Sequence, residues 1–363
     1  MIRTLALIWL ALLAALLQTT AQAQTQTPVI VENAPDIYPE PIDLDAWVDQ
    51  QPNSWSGGGY GYGYGSGYDD RGAWWPSWND LNPFAPAEDD YLADAALNAP
   101  WSWTLLPDEL IYRPELASLH TARLALSALN IKGFDPVGLP GGNNWYWDSA
   151  LGARVGIIRY GSPNGSYPQG FQFDVEGAVF PRVDSDGSTL IATDYRLGLP
   201  MSFGWRRYQT KFGFYHVSSH MGDEYLINTG PAAIANRINY VTNSIVWGNS
   251  YQWNEAIRTY IDAAWAFNFD GGARPWQFQF GAEYSPICAT GFRGSPFVAA
   301  NGHILQALNW GGNIVLQVGW QWRAKDYGNL LRFGFQYLEG MTPRYEFFQN
   351  SERQLGLGLW YDF

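Results

Sequence analysis

The chain carries a single cysteine, Cys288, in 363 residues, so no intrachain disulfide framework holds it together. Charge is scarce as well, with Asp, Glu, Lys and Arg making up 15% of the sequence. The 21 basic side chains are outnumbered by 34 acidic ones, and a formal charge of −13 excludes nucleic acid as a partner because little is left to neutralise phosphates. No run of about twenty consecutive apolar residues occurs, which excludes helical membrane spans. Gly57 to Gly65 is a Gly-Tyr repeat without a framing strand or helix, so it is no phosphate loop, and no cofactor is expected.

Aromatic residues are what the chain has in excess: 19 Trp, 22 Tyr and 19 Phe, within a hydrophobic total of 47%. That excess suits a β-barrel with aromatic girdles at two membrane interfaces. At the start, Arg3, the apolar run Leu5 to Leu17 and Ala21-Gln22-Ala23 read as a signal peptide over residues 1–23. No cysteine follows the expected cleavage point, so a lipoprotein anchor is not expected, and the exported chain would begin near Gln24. Residues 24–100 are rich in Pro, Asp, Gly and aromatics and poor in aliphatics. They cannot bury enough apolar surface to offset the entropy of ordering, which makes them an expected disordered, low-complexity segment and spacer in the periplasm.

From Leu119 onward, apolar and polar residues alternate between turn signals. Tyr195, Leu197, Leu199, Met201 and Phe203 share one parity, with Asp194 and Arg196 on the other. Ile257, Ile261, Trp265, Phe267 and Phe269 alternate with Arg258 and Asp262, and the last residues run Leu355, Leu357, Leu359, Tyr361, Phe363. Period two with an aromatic outer face and a polar inner face fits a transmembrane barrel. An aromatic residue ending a final strand looks like the C-terminal signal of bacterial outer-membrane barrels. Counting back from Phe363 gives twelve strands, near 352–363, 328–340, 312–323, 297–308, 275–287, 256–268, 237–251, 208–220, 189–203, 168–181, 147–160 and 119–129. The expected fold is therefore all-β, a transmembrane antiparallel up-and-down barrel over residues 101–363, with long connections at 130–146, 221–236 and 341–351 facing outside and short ones at 204–207, 252–255 and 324–327. Asp174, Glu176, Asp194, Arg196, Lys211, Arg258, Asp262, Glu283, Arg323 and Arg332 should point inward, and their mixed signs favour a salt-bridged plug over a narrow pore.

The densest polar cluster runs from His216 to Glu224. His216, Ser218 and His220 are two apart and project from one strand face, the same face as Tyr208, Phe212 and Phe214, so they should look outward near the outer leaflet. A hydroxyl beside an imidazole is the minimum for an activated serine. A third residue should orient the ring, and Asn239, Asn243, Glu224 and Asp223 are candidates from sequence. The same residues admit two other readings. One is a metal site from His216, His220, Asp223 and Glu224, which would hold a divalent cation only if the strand bends. The other is a set of hydrogen-bonding rim residues that fix the next loop.

His216-x-Ser218 resembles the motif of outer-membrane phospholipase A and the outer-membrane lipid A deacylases. That resemblance implies His216 as general base and Ser218 as nucleophile in acyl-ester hydrolysis. Those families usually place Asn directly after the serine, and here Ser219 stands there. Over a greater length, Trp103 to Asp108, Ala150 to Gly156, Phe203 to Arg207, His216 to Glu224 and Leu357 to Phe363 are similar to a bacterial outer-membrane barrel family known only as a domain of unknown function. The resemblance spans about residues 101–363 and implies an outer-membrane barrel without assigning an activity. The expectations are thus a structural or small-solute-transporting barrel or, alternatively, an outer-leaflet acyl-ester hydrolase. The expected partners are outer-membrane lipid and the outer-membrane assembly machinery.

Overall fold

The computed structural model describes residues 100–134, 144–162, 167–186, 188–235, 237–287, 294–324 and 329–363. The expected signal peptide, all of the 24–100 segment but Pro100, and Cys288 lie outside the described residues.

A short strand β1 (Ser102–Leu105) precedes twelve long ones. These are β2 (Leu124–Lys132), β3 (Trp145–Gly161), β4 (Gly170–Asp184), β5 (Leu190–Trp205), β6 (Tyr208–Met221) and β7 (Val241–Gln252). They continue as β8 (Ile257–Asp270), β9 (Trp276–Tyr284), β10 (Ser295–Leu305), β11 (Gly311–Arg323), β12 (Leu330–Met341) and β13 (Ser351–Asp362). Each pairs antiparallel with its sequence neighbours, and β13 returns to pair with β2, where Leu357 meets Ala128. The ring is closed, so none of the twelve is left with a free edge.

Alternation makes these strands and fixes their faces. On β12, Leu331, Phe333 and Phe335 are exposed to the outside, while Arg332 and Gln336 are buried in the lumen. On β13 the leucines face outward and the glycines inward. A Cβ at Gly358 would sit 2.2 Å from the Trp360 ring, so glycine there makes room for the indole inside the wall. All ten charged residues expected to face inward do so. Three pairings shift register: β3–β4 between Gly156 and Ile158, β4–β5 between Arg182 and Val183, and β7–β8. The β7–β8 register shifts between Asn243 and Ser244, leaving Phe267 as an extra residue on β8. The expected alternation through Phe267 and Phe269 therefore does not continue: Phe269 pairs with the lumen-facing Thr242.

The lumen is filled from both ends. Residues 106–123 run inside the barrel after β1, and His120, Thr121, Ala122 and Arg123 are all buried. This corrects the expected first strand at 119–129, which begins instead at Leu124. A segment enclosed on every side has no exposed face and so no alternation. The wall grips this insert through charged groups. Lys211 pairs with Glu115 and, at 2.8 Å, with Asp262. Tyr112 donates to Asp262 (2.9 Å), the Leu116 N–H donates to Glu283 (2.6 Å), and Arg258 donates to the Arg113 and Pro114 carbonyls at 3.0 and 2.7 Å. Arg123 and Arg332 both meet Asp362, at 3.2 and 2.9 Å. From the other end, the connection between β12 and β13 turns inward through a 3-10 turn, Tyr345–Phe347. Arg344 reaches Asp148 (3.1 Å), and Tyr345 stacks on Tyr240 and on His120, each at 4.6 Å between ring centres. Isolated buried charges would be costly, whereas these are paired or hydrogen-bonded.

Candidate functional site

The long connection between β6 and β7 forms two short helices, α1 (Asp223–Thr229) and α2 (Pro231–Ala235). Tyr225 and Ala233 pack into an apolar cluster with Ile191, Met221 and Phe347, so the helices are anchored on the barrel rim. Below them, β6 alternates without a break. Gln209, Lys211, Tyr215 and Ser219 are buried on the lumen side, and Tyr208 and Phe212 are exposed on the other. His216, Ser218 and His220 fall on that outward parity.

Register then selects one of the residues expected to orient the imidazole. His216 lies opposite Asn243 in the β6–β7 pairing, and its Nδ1 is 2.8 Å from the Asn243 Oδ1. A carbonyl oxygen only accepts, so the contact requires a proton on Nδ1, and in the neutral ring this leaves Nε2 as the basic nitrogen. Ser218 is two residues further along the same face, next to Val241 on β7 and Tyr195 on β5. Asn239 is placed elsewhere. Its backbone adopts a left-handed conformation (φ 56°) and its N–H donates to both carboxylate oxygens of Glu346 at 3.2 Å. Glu224 accepts the Leu190 N–H at 3.3 Å, and Asp223 opens α1. His220 packs edge-on against Tyr195, 5.6 Å between ring centres. Among the described residues no three His, Cys, Asp or Glu side chains gather closely enough to hold a metal ion.

Ser219, which replaces the asparagine of the His-x-Ser-Asn pattern, faces the lumen. Its hydroxyl donates to Asp194 (2.5 Å) and accepts the Glu346 N–H (3.0 Å), so it ties the wall to the inward-turned connection and takes no part on the outward face.

Residues 106–363 match the family described as "Protein of unknown function (DUF1207)". The chain belongs to that family. The DUF1207 match begins with the lumen insert and runs through all twelve barrel strands, so it includes His216, Ser218 and Asn243. Comparison with curated proteins gives no match. Among solved structures, outer membrane phospholipase A from Escherichia coli is 11% identical, covering 66% of this chain and 89% of its own, at a TM-score of 0.44. The Salmonella typhi outer membrane phospholipase dimer with bound calcium is 12% identical, covering 66% and 90%, also at 0.44. A deletion mutant of the TodX monoaromatic hydrocarbon channel is 11% identical, covering 76% and 99%, at 0.33. Likenesses this distant say nothing about what a DUF1207 barrel does.

Proposed function

We propose that this barrel resides in the bacterial outer membrane and hydrolyses acyl esters of outer-leaflet lipids. Ser218 is the nucleophile, His216 the general base, and Asn243 orients the imidazole. The contact between His216 Nδ1 and Asn243 Oδ1 on the outward face carries this reading. Polar side chains on a barrel's lipid side are costly, and a hydrogen-bonded imidazole two residues from a hydroxyl gives them a use.

With the N-terminal segment in the periplasm, β6 runs outward and its last turn of residues reaches the outer leaflet. Outward-facing Leu199, Phe212 and Trp247 lie below His216 and offer an apolar bed for acyl chains, while the ester sits at the level of Ser218. Ser218 Oγ attacks the ester carbonyl carbon as its proton passes to His216 Nε2. The tetrahedral adduct collapses, the C–O bond to the alcohol breaks, and the alcohol leaves with the proton from Nε2. Water, deprotonated by the same nitrogen, then cleaves the acyl-serine to release a fatty acid. Throughout, Asn243 accepts from Nδ1–H and fixes the ring so that Nε2 is the nitrogen left for proton transfer.

The filled lumen weighs against solute transport as the main role, since the insert and the wall share their hydrogen-bonding groups rather than leaving them to water. The test uses the full-length protein, folded in detergent and mixed with micelles of phospholipid or of lipid A. Fatty-acid release that disappears in Ser218→Ala is expected. Release unchanged by that substitution sinks the assignment.

A further inference from the structure

Resting on the hydrolase reading for its purpose but not for its geometry, a fourth residue belongs to the site. We infer that the β-bulge at Phe267 exists to turn Asn268 onto the outward face, where its side chain locks the amide of Asn243 in the orientation that serves His216.

On β8 the residues before the bulge are unambiguous. Arg258, Tyr260, Asp262 and Ala266 are buried toward the lumen, and Ile261 and Trp265 are exposed outside. Continued alternation would place Asn268 inside with Ala266. Instead Ser244 pairs with Ala266 and the next residue on β7, Asn243, pairs with Asn268. Phe267 is the extra residue; its ring lies 6.2 Å from Phe214 and 6.4 Å from Trp265, both outward. Phe267 and Asn268 therefore face outward in succession. Bulges of this kind re-aim side chains and gather beside functional sites.

The result is one polar row across three strands: His216 on β6, Asn243 on β7 and Asn268 on β8, each directly opposite the next. Opposed side chains on adjacent strands start about 5 Å apart, within reach of an amide–amide hydrogen bond. The row crosses a face otherwise occupied by Phe214, Ile245, Trp265 and Phe267. Asn243 bonds His216 through its Oδ1, and among the described residues neither its Nδ2 nor the Asn268 side chain makes a hydrogen bond, to each other included. At the edge of hydrocarbon a free amide N–H is costly, and Asn268, the residue directly opposite, carries the acceptor that a side-chain rotation brings to it.

The chemistry depends on which way the Asn243 amide points. If it flips, Nδ2 faces His216 Nδ1, a donor meets the ring, and the imidazole proton moves to Nε2. That tautomer cannot accept the Ser218 proton. Asn268 opposes the flip by taking Asn243 Nδ2–H. It is a positioning residue, acting through Asn243 and touching no substrate.

The test labels histidine with ¹⁵N in full-length protein folded in detergent and reads the His216 tautomer. Wild type should show the Nδ1–H form. Asn268→Leu, which removes the acceptor, should populate the Nε2–H form, and Asn268→Thr, which restores an oxygen, should return it. If Asn268→Leu does not fold, Asn268→Ala is read in the same way. With lipid substrate, Asn268→Leu should lower kcat about tenfold with KM unchanged, the effect of one lost supporting hydrogen bond. A His216 tautomer that is the same in wild type and Asn268→Leu overturns the proposal, whether or not lipid is hydrolysed. A tautomer shift in a protein that releases no fatty acid supports the proposal and removes the hydrolase reading instead.

Discussion

Tyr215 and His216 are neighbours in the chain and stand on opposite sides of the barrel wall. The Tyr215 ring carries Arg196 at 4.3 Å and its hydroxyl approaches Glu176 in the lumen, while the His216 ring turns outward to Asn243. One peptide unit thus separates two chemistries. Inside, charges hold a plug in place; outside, the hydrogen-bonded His216–Asn243 pair lies among aromatics. Substitutions on the two parities of β6 should therefore fail in different ways, inner ones through stability and outer ones through activity.

The outer row makes the first expectation. Asn243→Leu removes the acceptor for His216 Nδ1–H without disturbing any lumen contact. Hydrolysis should fall by about 10²- to 10⁴-fold, the range that follows when a catalytic histidine loses its orienting partner. Asn243→Asp keeps an oxygen at the same place and should retain far more activity. Initial rates on mixed micelles, with electrophoretic mobility before and after heating to confirm the folded barrel, decide the matter. Equal rates for Asn243→Leu and wild type would remove Asn243 from the mechanism.

The inner face makes the second. Glu115 binds Lys211 with one oxygen and accepts from Thr121 (3.0 Å) with the other, all of them buried. Breaking a buried ion pair from one side costs about 3–5 kcal/mol when nothing replaces the partner. In Glu115→Gln the amide keeps part of the hydrogen bonding and Lys211 keeps Asp262, so a loss of about 2 kcal/mol is expected, confined to the insert. Hydrogen exchange at the Leu116 and Ala117 amides should speed up about thirtyfold while the β11–β12 amides stay protected. Uniform loss of protection would mean that insert and wall unfold together.

Acid should loosen the same segment. Burial pushes the His120 imidazole below its ordinary value of 6.5, more than Asp194 pulls it back. For Glu115, burial acts upward, but Lys211 and Arg258 outweigh it and hold the carboxyl below its ordinary 4.5. Each group binds its proton more weakly folded than unfolded, so stability rises with pH wherever the unfolded chain is the more protonated. The His120 contribution is complete above pH 6.5 and is lost as pH falls from there through the folded value; the Glu115 contribution begins to fall below 4.5. His120→Phe keeps a ring to stack on Tyr345 and removes the first loss. Exchange of the insert amides, followed from pH 8 to 5, should steepen below 6.5 in wild type by at most about 1.4 kcal/mol per pH unit and stay level in the variant.

What could be read from the sequence follows from which residues have two distinct sides. Wall strands separate lipid-side from lumen-side chemistry at every second residue, so the twelve strands, the closing Leu355 to Phe363 stretch and the inward set from Asp174 to Arg332 were legible. The outward parity of His216 and Ser218 came from the same pattern. Residues 106–123 were not legible, because Tyr112, Glu115 and Arg123 are surrounded on all sides and show no period. The choice of Asn243 over Asn239 also lay beyond the sequence. It depends on how many residues α1 and α2 absorb before β7 begins, which sets the register opposite His216. The bulge was hidden for a similar reason: Trp265, Phe267 and Phe269 look like unbroken alternation until the pairing of β7 shows that one of them is extra.

The plug sets a last expectation, about conduction. A twelve-stranded barrel is wider than the eight-stranded ones that wall side chains alone can fill, so emptying it should leave a water path. Here the filling is done by the insert, through Tyr112 on Asp262, Glu115 on Lys211 and the Leu116 N–H on Glu283, and by Tyr345 from the opposite end. Folded full-length protein in a planar bilayer should therefore show no steady ohmic current. Replacing residues 108–118 with a Gly/Ser sequence of equal length leaves the β2–β13 ring intact but removes the Tyr112 and Glu115 side chains and the contacts they make. Its Lys211–Asp262 and Arg258–Glu283 pairs would then border water, and a small salt-dependent current should appear. If wild type conducts as well as this variant, the insert does not seal the lumen, and transport regains its place beside hydrolysis as a role for the barrel.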